Sequence, residues 1–545
     1  MIVVNKLDKE NTDYHKVLDE LVETFGTGCV PVQIPIGQAE SFSGVARLIE
    51  DEPDDVDHEL FAECRNKLIE TVAESDEALL DKFFNDEPLT KEEITGAMKK
   101  GIVDCSVFPV AVCAATKTIG IDALLHSVEN YLPSPAAVEE IAVEEGDALK
   151  PDETLPASAF VFKTVTDPFV GQLTYLRVYQ GTITSASEIH NLTKGHKERV
   201  GELMIVQGKD QIHVDSANPG CIVAIAKLKN THVNNTLGDA QVKFADIEFP
   251  KPVMTYAVTA AKSGQEDKLA AGLHRIIEED PTILVERHPE THEQLVSGLG
   301  DVHLDVVFNR LKNAFKAEVI TKTPKVAYHE TIRGKADVRY RHKKQSGGSG
   351  QFGEIAIRVR PNTRDAGYEF VNKIVGGVIS QSYIPGVDKG ITARMKDGII
   401  AGCQVVDIVV ELYDGKEHPV DSKDIAFQIA GKHAIADAVE KSKPILLEPI
   451  MEVEVHCPQD FLGDINGILN SKRGHIIGMD SEGALQIIKA HVPQAEMFRF
   501  CSELRSITGG RGSFSLKFDH YSEVAPATAQ TIIEKYKKSR EEKEG

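Results

Sequence analysis

With 545 residues, at roughly 100–200 residues per domain, the chain is too long for one core and implies about four domains. Its 41% hydrophobic and 27% charged residues, 42 Gly and 24 Pro are near the globular average and exclude collagen-like, low-complexity and wholly disordered classes. The 61 Lys plus Arg against 84 Asp plus Glu give a net charge of −23, which opposes bulk steering towards nucleic acid, so any RNA contact is expected to be local.

The run Ile2-Val3-Val4 predicts a strand. Residues 11–25 place Tyr14, Val17, Leu18, Leu21, Val22 and Phe25 at helical spacing, with Gly26 as the stop. Residues 30–34 and 108–113 read as strands and 121–131 as a helix ending before Pro133, while the charged helical stretch 61–84 looks inserted. Residues 1–135 thus resemble the tail of an α/β domain with an insertion at about 41–100. Pro133-Ser134-Pro135 and the acidic stretch 139–147 predict a linker. From 150 to 247, short β-type runs punctuated by Gly171, Gly181, Gly195, Gly201 and Gly220 suggest a β-barrel. Within 252–324 the predicted order is strand 254–261, helix 266–278, strands 283–287 and 294–297, helix 302–315 and strand 317–320, a ferredoxin-like βαββαβ unit. The same order recurs within 448–530, from the alternating strand 451–457 through helix 461–469 to strands 475–479 and 485–490. An α+β domain at 325–447 lies between the two, and 531–545 predicts a solvated charged tail.

Asn5-Lys6-Leu7-Asp8 follows the first strand directly. An Asp carboxylate there can accept from N1 and N2 of guanine while the Lys stem covers the base; the alternative is a plain turn. Cys113-Ala114-Ala115-Thr116, also at a strand end, can offer a backbone N–H to the base O6. No Gly-x-x-x-x-Gly-Lys-Ser/Thr occurs, so the chain has no phosphate loop. Gly348-Ser349-Gly350-Gln351-Phe352-Gly353 fits G-x-G-x-x-G only formally, because a strand follows where a dinucleotide fingerprint needs a helix. It reads as a Gly/Ser loop behind Arg339, Arg341, Lys343 and Lys344, either near an RNA backbone or a solvated hairpin tip. His288, His292 and His303 lack converging ligands, no Ser or Cys has a flanking base, and the eight Cys form no Cys-x-x-Cys pair. No catalytic or metal-ligating residue is assigned. No leader or membrane span is evident, which predicts a soluble, cytoplasmic protein.

These residues together resemble one family over essentially the whole chain: translation elongation factor G and its elongation-factor-G-like paralogues. The strings that carry it are Asn5-Lys6-Leu7-Asp8, Asp167-Pro168-Phe169-Val170-Gly171, Lys194-Gly195-His196-Lys197-Glu198-Arg199 and Gly298-Leu299-Gly300-Asp301-Val302-His303-Leu304. Further along come the loop 345–351, Gly376-Gly377 with Ile384-Pro385, His418-Pro419-Val420-Asp421-Ser422, Asn470-Ser471-Lys472-Arg473-Gly474 and the string 504–513. The resemblance implies a multidomain α/β and α+β fold: the remnant of a P-loop GTPase domain, a β-barrel, two ferredoxin-like domains and an intervening α+β domain.

It further implies a monomeric cytoplasmic GTPase that binds both ribosomal subunits, rRNA and stalk proteins and moves tRNA and mRNA at the decoding site. Asn5, Lys6, Asp8, Ala114 and Ala115 would contact the guanine of GTP or GDP, with Mg2+ expected only in a full-length form. Lys344, Ser346, Gly347, Gly348, Ser349, Gly350, Gln351, His418, Asp421 and Ser422 would form the decoding-site tip. Arg473, Arg505 and Arg511 would face large-subunit RNA. The family's phosphate loop, switches and catalytic His would lie upstream of Met1, so this chain is not expected to hydrolyse GTP. An insertion shorter than usual, about 41–93, bears on the stalk contact, and Ser349 at a usually basic position resembles the paralogue branch. The alternative is a naturally short, non-hydrolysing ribosome-binding modulator or protection factor. A first sheet without its leading strands would expose an edge, making 1–135 less stable and prone to aggregate.

Overall fold

Apolar runs too short to bury themselves pair in parallel at the start of the chain: Ile2–Val4 and Cys29–Pro31 flank Phe108–Val112 in a three-stranded sheet. The central strand is buried on both faces, as its unbroken Pro-Val-Ala-Val run requires, whereas Val3 on the edge strand is exposed. The computed structural model describes residues 1–544 except 51–53, 75–76, 86, 139, 168–169 and 345–349. The chain forms two compact units, Met1–Ile247 and Glu248–Gly545.

In the first unit, helix Tyr14–Phe25 starts at Asp13, whose side chain accepts from the Lys16 amide, and stops at Gly26 with φ 91°. The predicted helical stretch 61–84 resolves into helices His58–Ala73 and Glu77–Phe84, and a Thr90–Glu93 capping box starts a third, Lys91–Val103. Phe61, Leu68, Val72 and Met98 from these helices share one core with Val30, Ala111 and Val112 of the sheet. The insertion is therefore welded to the α/β domain.

The rest of this unit is the barrel-type domain, an eight-stranded sheet built on the hairpin Ser158–Asp167 and Gly171–Gln180. Its inward residues Val161, Leu176, Val223 and Leu237 form the core. The predicted linker is instead part of this fold. Ile141 pairs with Leu149 and Glu145 with Lys243, and Ile141, Val143 and Leu149 pack on Phe160 and Phe244.

In the second unit, strands Leu284–Arg287, Gln294–Gly298, Met254–Ala260 and Val319–Lys322 lie in that spatial order, all antiparallel. Helices Glu266–Glu279 and Asp301–Ala314 supply Leu273, Ile276, Leu304 and Leu311 to their core. This is the βαββαβ sandwich expected from the periodicity. The C-terminal sheet repeats the order with His475–Glu482, Leu485–Pro493, Pro444–Pro458 and Ser513–Glu523. Its first strand is far longer than the predicted 451–457, because residues 444–447 pair with His329–Ile332.

Between the sandwiches, a sheet of Ala336–Lys344, Gln351–Pro361, Ile408–Lys416 and Glu369–Asn372 is covered by helices Ile384–Asp397 and Asp424–Lys441. Gly390 and Gly431 permit the helix contact: a Cβ on Gly390 would lie 2.0 Å from the Gln428 carbonyl oxygen, and one on Gly431 2.5 Å from that of Val387. The tail is a helix, Pro526–Glu544, and not merely solvated. Ala529, Ile532 and Ile533 pack on Ala401, Leu446 and Val524, and Tyr536 lies against Gly402. Among the described residues, no helix is long and apolar enough to cross a membrane.

Candidate functional site

The turn after Ile2–Val4 is held by the loop that follows Phe108–Val112. Lys6 takes a left-handed φ of 65°, which bends the chain sharply. Asn5 Oδ1 accepts from the Lys6 amide at 2.8 Å and the Ala115 amide at 3.0 Å, while the Cys113 amide donates to the Val4 carbonyl at 3.0 Å. Both expected O6 donors are thus engaged within the protein, the Ala114 amide donating to the Ile119 carbonyl at 3.0 Å. A base oxygen would compete with Asn5 for the Ala115 amide.

The Asp8 side chain is only 2% exposed. Its Oδ2 lies 3.4 Å from Lys117 Nζ, and its Oδ1 is buried with no hydrogen-bond partner among the described residues. Burying a carboxylate oxygen unpaired is costly, so such an atom marks a place where a donor is missing. Two adjacent N–H donors on a planar base would supply that chemistry at Asp8, whereas the Ala114 and Ala115 amides would first have to leave Ile119 and Asn5.

In the second unit, the structure brings together the described residues of the expected tip, Lys344, Gly350 and Gln351 from one hairpin and His418, Asp421 and Ser422 from a separate loop. The hairpin Ala336–Lys344 and Gln351–Pro361 closes with Lys344 opposite Gln351. The loop 418–422 is bonded to its second strand: the Phe352 amide donates to the Asp421 carbonyl at 2.9 Å, and Ser422 Oγ donates to the Phe352 carbonyl at 2.9 Å. A Cβ on Gly350 would sit 2.8 Å from the Asp421 carboxylate, so glycine keeps the loops in contact. Ser346, Gly347, Gly348 and Ser349 lie outside the described residues.

His418 Nδ1 accepts from the Asp421 amide at 3.2 Å and the Val420 amide at 3.4 Å. Nδ1 also lies 3.4 Å from Asp421 Oδ2, and the ring is half exposed. The sequence reading missed two features of this end. Ser380 ties a third loop to the tip through its amide and hydroxyl, both donating to Glu417, and Val375 and Val420 stand 83% and 77% exposed. The Gly376-Gly377 pair was the only signal for that loop.

The basic cluster behind the hairpin is smaller than expected. Arg339 Nη1 donates to Glu354 Oε1 at 2.9 Å and Arg341 Nε to Glu354 Oε2 at 2.5 Å, and Arg339 also reaches Asp414. Cross-strand register places these charges together, so both arginines neutralise acids. Lys343 and Lys344 form no ion pair among the described residues and carry the local positive charge. Burial opposes ionisation of Glu354, but hydrogen bonds from Arg339 and Arg341 prevail and hold its carboxyl below the usual range. A depressed folded pKa contributes stability above the unfolded value of about 4.3 that is lost as pH falls through the folded value. Acid titration should therefore loosen this hairpin in the parent at a pH below about 4.3, and Glu354→Gln should abolish that transition in amide exchange of 338–341.

Two of the three C-terminal arginines are also committed. Arg473 grips Glu448, 3% exposed, through Nη1 at 2.6 Å and Nη2 at 3.0 Å, and donates from Nε to Glu496 at 3.0 Å. Arg505 Nη2 donates to the Leu299 carbonyl at 2.7 Å. Arg511 lies 4.8 Å over the Phe461 ring with its residue exposed. Arg473→Ala is expected to cost about 3–5 kcal/mol, since it strands a buried carboxylate, whereas Arg511→Ala loses a cation–π contact worth about 0.5–1 kcal/mol and a long hydrogen bond from Nε to the Thr508 carbonyl at 3.4 Å. Thermal unfolding separates the two.

Family models match four consecutive stretches: elongation factor G domain 2 at 156–240, domain III at 249–323, domain IV at 324–443 and the elongation factor G C-terminus at 445–532. A crystal structure of a protein from Thermus thermophilus superposes with TM-score 0.80 at 33% identity, covering 99% of this chain and 81% of that one. This chain belongs to the elongation factor G family. The tip built from Lys344, Gly350, Gln351, His418, Asp421 and Ser422 falls within its domain IV, and Arg473, Arg505 and Arg511 within its C-terminal domain. The chain is thus a translation factor of this family.

Proposed function

We propose that this elongation factor G family member binds the ribosome and promotes tRNA and mRNA movement at the decoding site. The observation that carries the reading is the clamped end of domain IV, where loop 418–422 is hydrogen-bonded to Phe352 at the start of strand Gln351–Pro361. That end presents His418, Lys344 and Gln351 with glycine beside them. Small residues let a backbone approach closely, the imidazole offers a hydrogen-bonding edge, and lysine offers a phosphate-directed charge, a set suited to RNA contact without bulk electrostatic attraction. A net charge of −23 makes such local presentation necessary.

In the first unit, Asn5, Lys6 and Asp8 would hold the guanine of GTP or GDP, Asp8 Oδ1 accepting from the base and Asn5 bracing the loop at Ala115. When bound, the nucleotide supplies a phosphoanhydride whose hydrolysis in this family is ribosome-dependent. No residue of this chain is assigned to the phosphates.

Tethered-radical probing tests the reading. A chain with Cys105 and Cys221, the two exposed thiols, replaced by Ser and with Val420→Cys carrying iron–EDTA is mixed with ribosomes. Strand scission confined to small-subunit RNA around the decoding site is the expected result. Failure of the chain to co-sediment with ribosomes, or scission spread without focus, would end the proposal. His418→Ala should fold normally and lower single-round translocation by roughly tenfold, the worth of one well-placed hydrogen bond.

A further inference from the structure

The open face of the C-terminal sheet carries a cluster that the ribosomal reading does not use. His491 on strand Leu485–Pro493 stands opposite Glu452, which in turn stands opposite Lys517 on strand Ser513–Glu523. Directly paired residues share a face, and so do residues two apart on one strand, which puts Asp519 on the face of His491. His520 should then point to the other face. The register shifts at this point, Met451 pairing with Phe518 and Ile450 with His520, so Asp519 is the extra residue of a β-bulge. A bulge re-aims side chains, and here it turns two consecutive residues towards one partner. The His491 and His520 rings meet edge to face with centroids 5.6 Å apart.

Three metal-binding groups result. His491 Nε2 lies 3.6 Å from Asp519 Oδ2, His520 Nδ1 lies 2.5 Å from the same oxygen, and the three ligand atoms fall within 4.8 Å of one another. A tetrahedral ion with bonds of about 2.0–2.2 Å places its donors roughly 3.3 Å apart. The first separation already suits this. The second must open by less than about 1 Å, which partly exposed side chains achieve by small rotations about χ1 and χ2. Two imidazoles and one carboxylate form a borderline donor set that selects zinc and its transition-metal neighbours over Ca2+ or Mg2+.

We propose that His491, Asp519 and His520 form a binding site for one divalent transition-metal ion, with zinc as the fitting occupant. Three protein ligands leave a coordination position open to solvent or to a donor from a partner. The ion would staple two strands across the intervening Pro444–Pro458 strand, and so would stabilise this domain by preferential binding to the folded state.

The probe is Co2+ added to the full chain, followed by visible absorption, then displaced by Zn2+. The expected result is one Co2+ bound with weak d–d bands of nitrogen and oxygen ligands, released by one equivalent of Zn2+. His491→Ala and His520→Ala should each weaken binding by roughly tenfold or more, while His274→Ala, on an exposed helix face elsewhere, leaves it unchanged. Zn2+ should raise the unfolding temperature of the parent and not that of His491→Ala. Circular dichroism confirms that each variant is folded. Absence of Co2+ binding in the parent, equal binding in parent and histidine variants, or charge-transfer bands of thiolate ligation would each overturn the assignment.

Discussion

Glu330→Ala is expected to destabilise the second unit by about 3–5 kcal/mol, the scale of leaving several buried amide donors without an acceptor. Glu330 is fully buried on strand His329–Ile332. Its Oε2 accepts from the amides of Ile399 at 2.8 Å and Ile400 at 2.9 Å, and its Oε1 from those of Ala401 at 2.8 Å and Cys403 at 3.1 Å. One carboxylate thus satisfies four amides in the segment after helix Ile384–Asp397, and alanine would leave all four without an acceptor. Each buried unsatisfied donor costs about 1–3 kcal/mol. Water entering from the neighbouring cavity of about 680 Å³, which Ala401 and Cys403 line, recovers part of that. Glu330→Gln should keep most of the loss, because its NH2 would face two amide donors. Burial, and then the Glu330 charge, push the Cys403 thiol up to about 12 in the parent. Thermal unfolding with amide exchange at 399–403 reads the effect. An unfolding temperature within about a degree of the parent would refute the argument.

Glu330 also shows where sequence reading stops. Nothing in Tyr328-His329-Glu330-Thr331 separates a buried acceptor from an exposed acid, because its four partners lie some seventy residues away. The elements themselves were legible wherever a local pattern sufficed. Tyr14–Phe25 and both strand–helix alternations of the βαββαβ sandwich follow from spacing and stops within a dozen residues. Strand Pro444–Pro458 was only half legible, since the alternation begins at Met451 and the earlier half is fixed by the distant His329–Ile332. The same locality limits the site. Lys344, Gln351 and His418 could be picked out by type, whereas the commitment of Arg473 to Glu448 and of Arg341 to Glu354 depends on tertiary register. The proposed guanine contact rests on a four-residue signal, and that Asp8 Oδ1 has no partner among the described residues became visible only once burial was known.

Asp8→Asn is expected to reverse base preference, lowering affinity for guanine nucleotides relative to xanthine nucleotides by about two orders of magnitude or more. On the proposed reading the carboxylate would accept from both N1–H and N2–H of guanine, and the two hydrogen bonds would be charge-assisted at a side chain only 2% exposed. Asparagine keeps one acceptor and presents NH2 to the second donor, leaving a buried donor pair in conflict. In xanthine a carbonyl replaces the N2 amine, and that oxygen accepts from the new NH2. The substitution should not harm the fold. It removes a buried charge with one oxygen unpartnered among the described residues, a gain that offsets the lost attraction to Lys117 and Lys9, whose side chains are 50% and 65% exposed and whose pairings are each worth about 1 kcal/mol or less. Competition of guanosine and xanthosine diphosphates for one fluorescent nucleotide gives the ratio directly, and contributions from the phosphates cancel because both ligands carry the same ones. An unchanged ratio in Asp8→Asn would mean that the buried carboxylate does not touch the base, and the Asn5-Lys6-Leu7-Asp8 turn would then be a structural corner braced by Ala115 and Lys117.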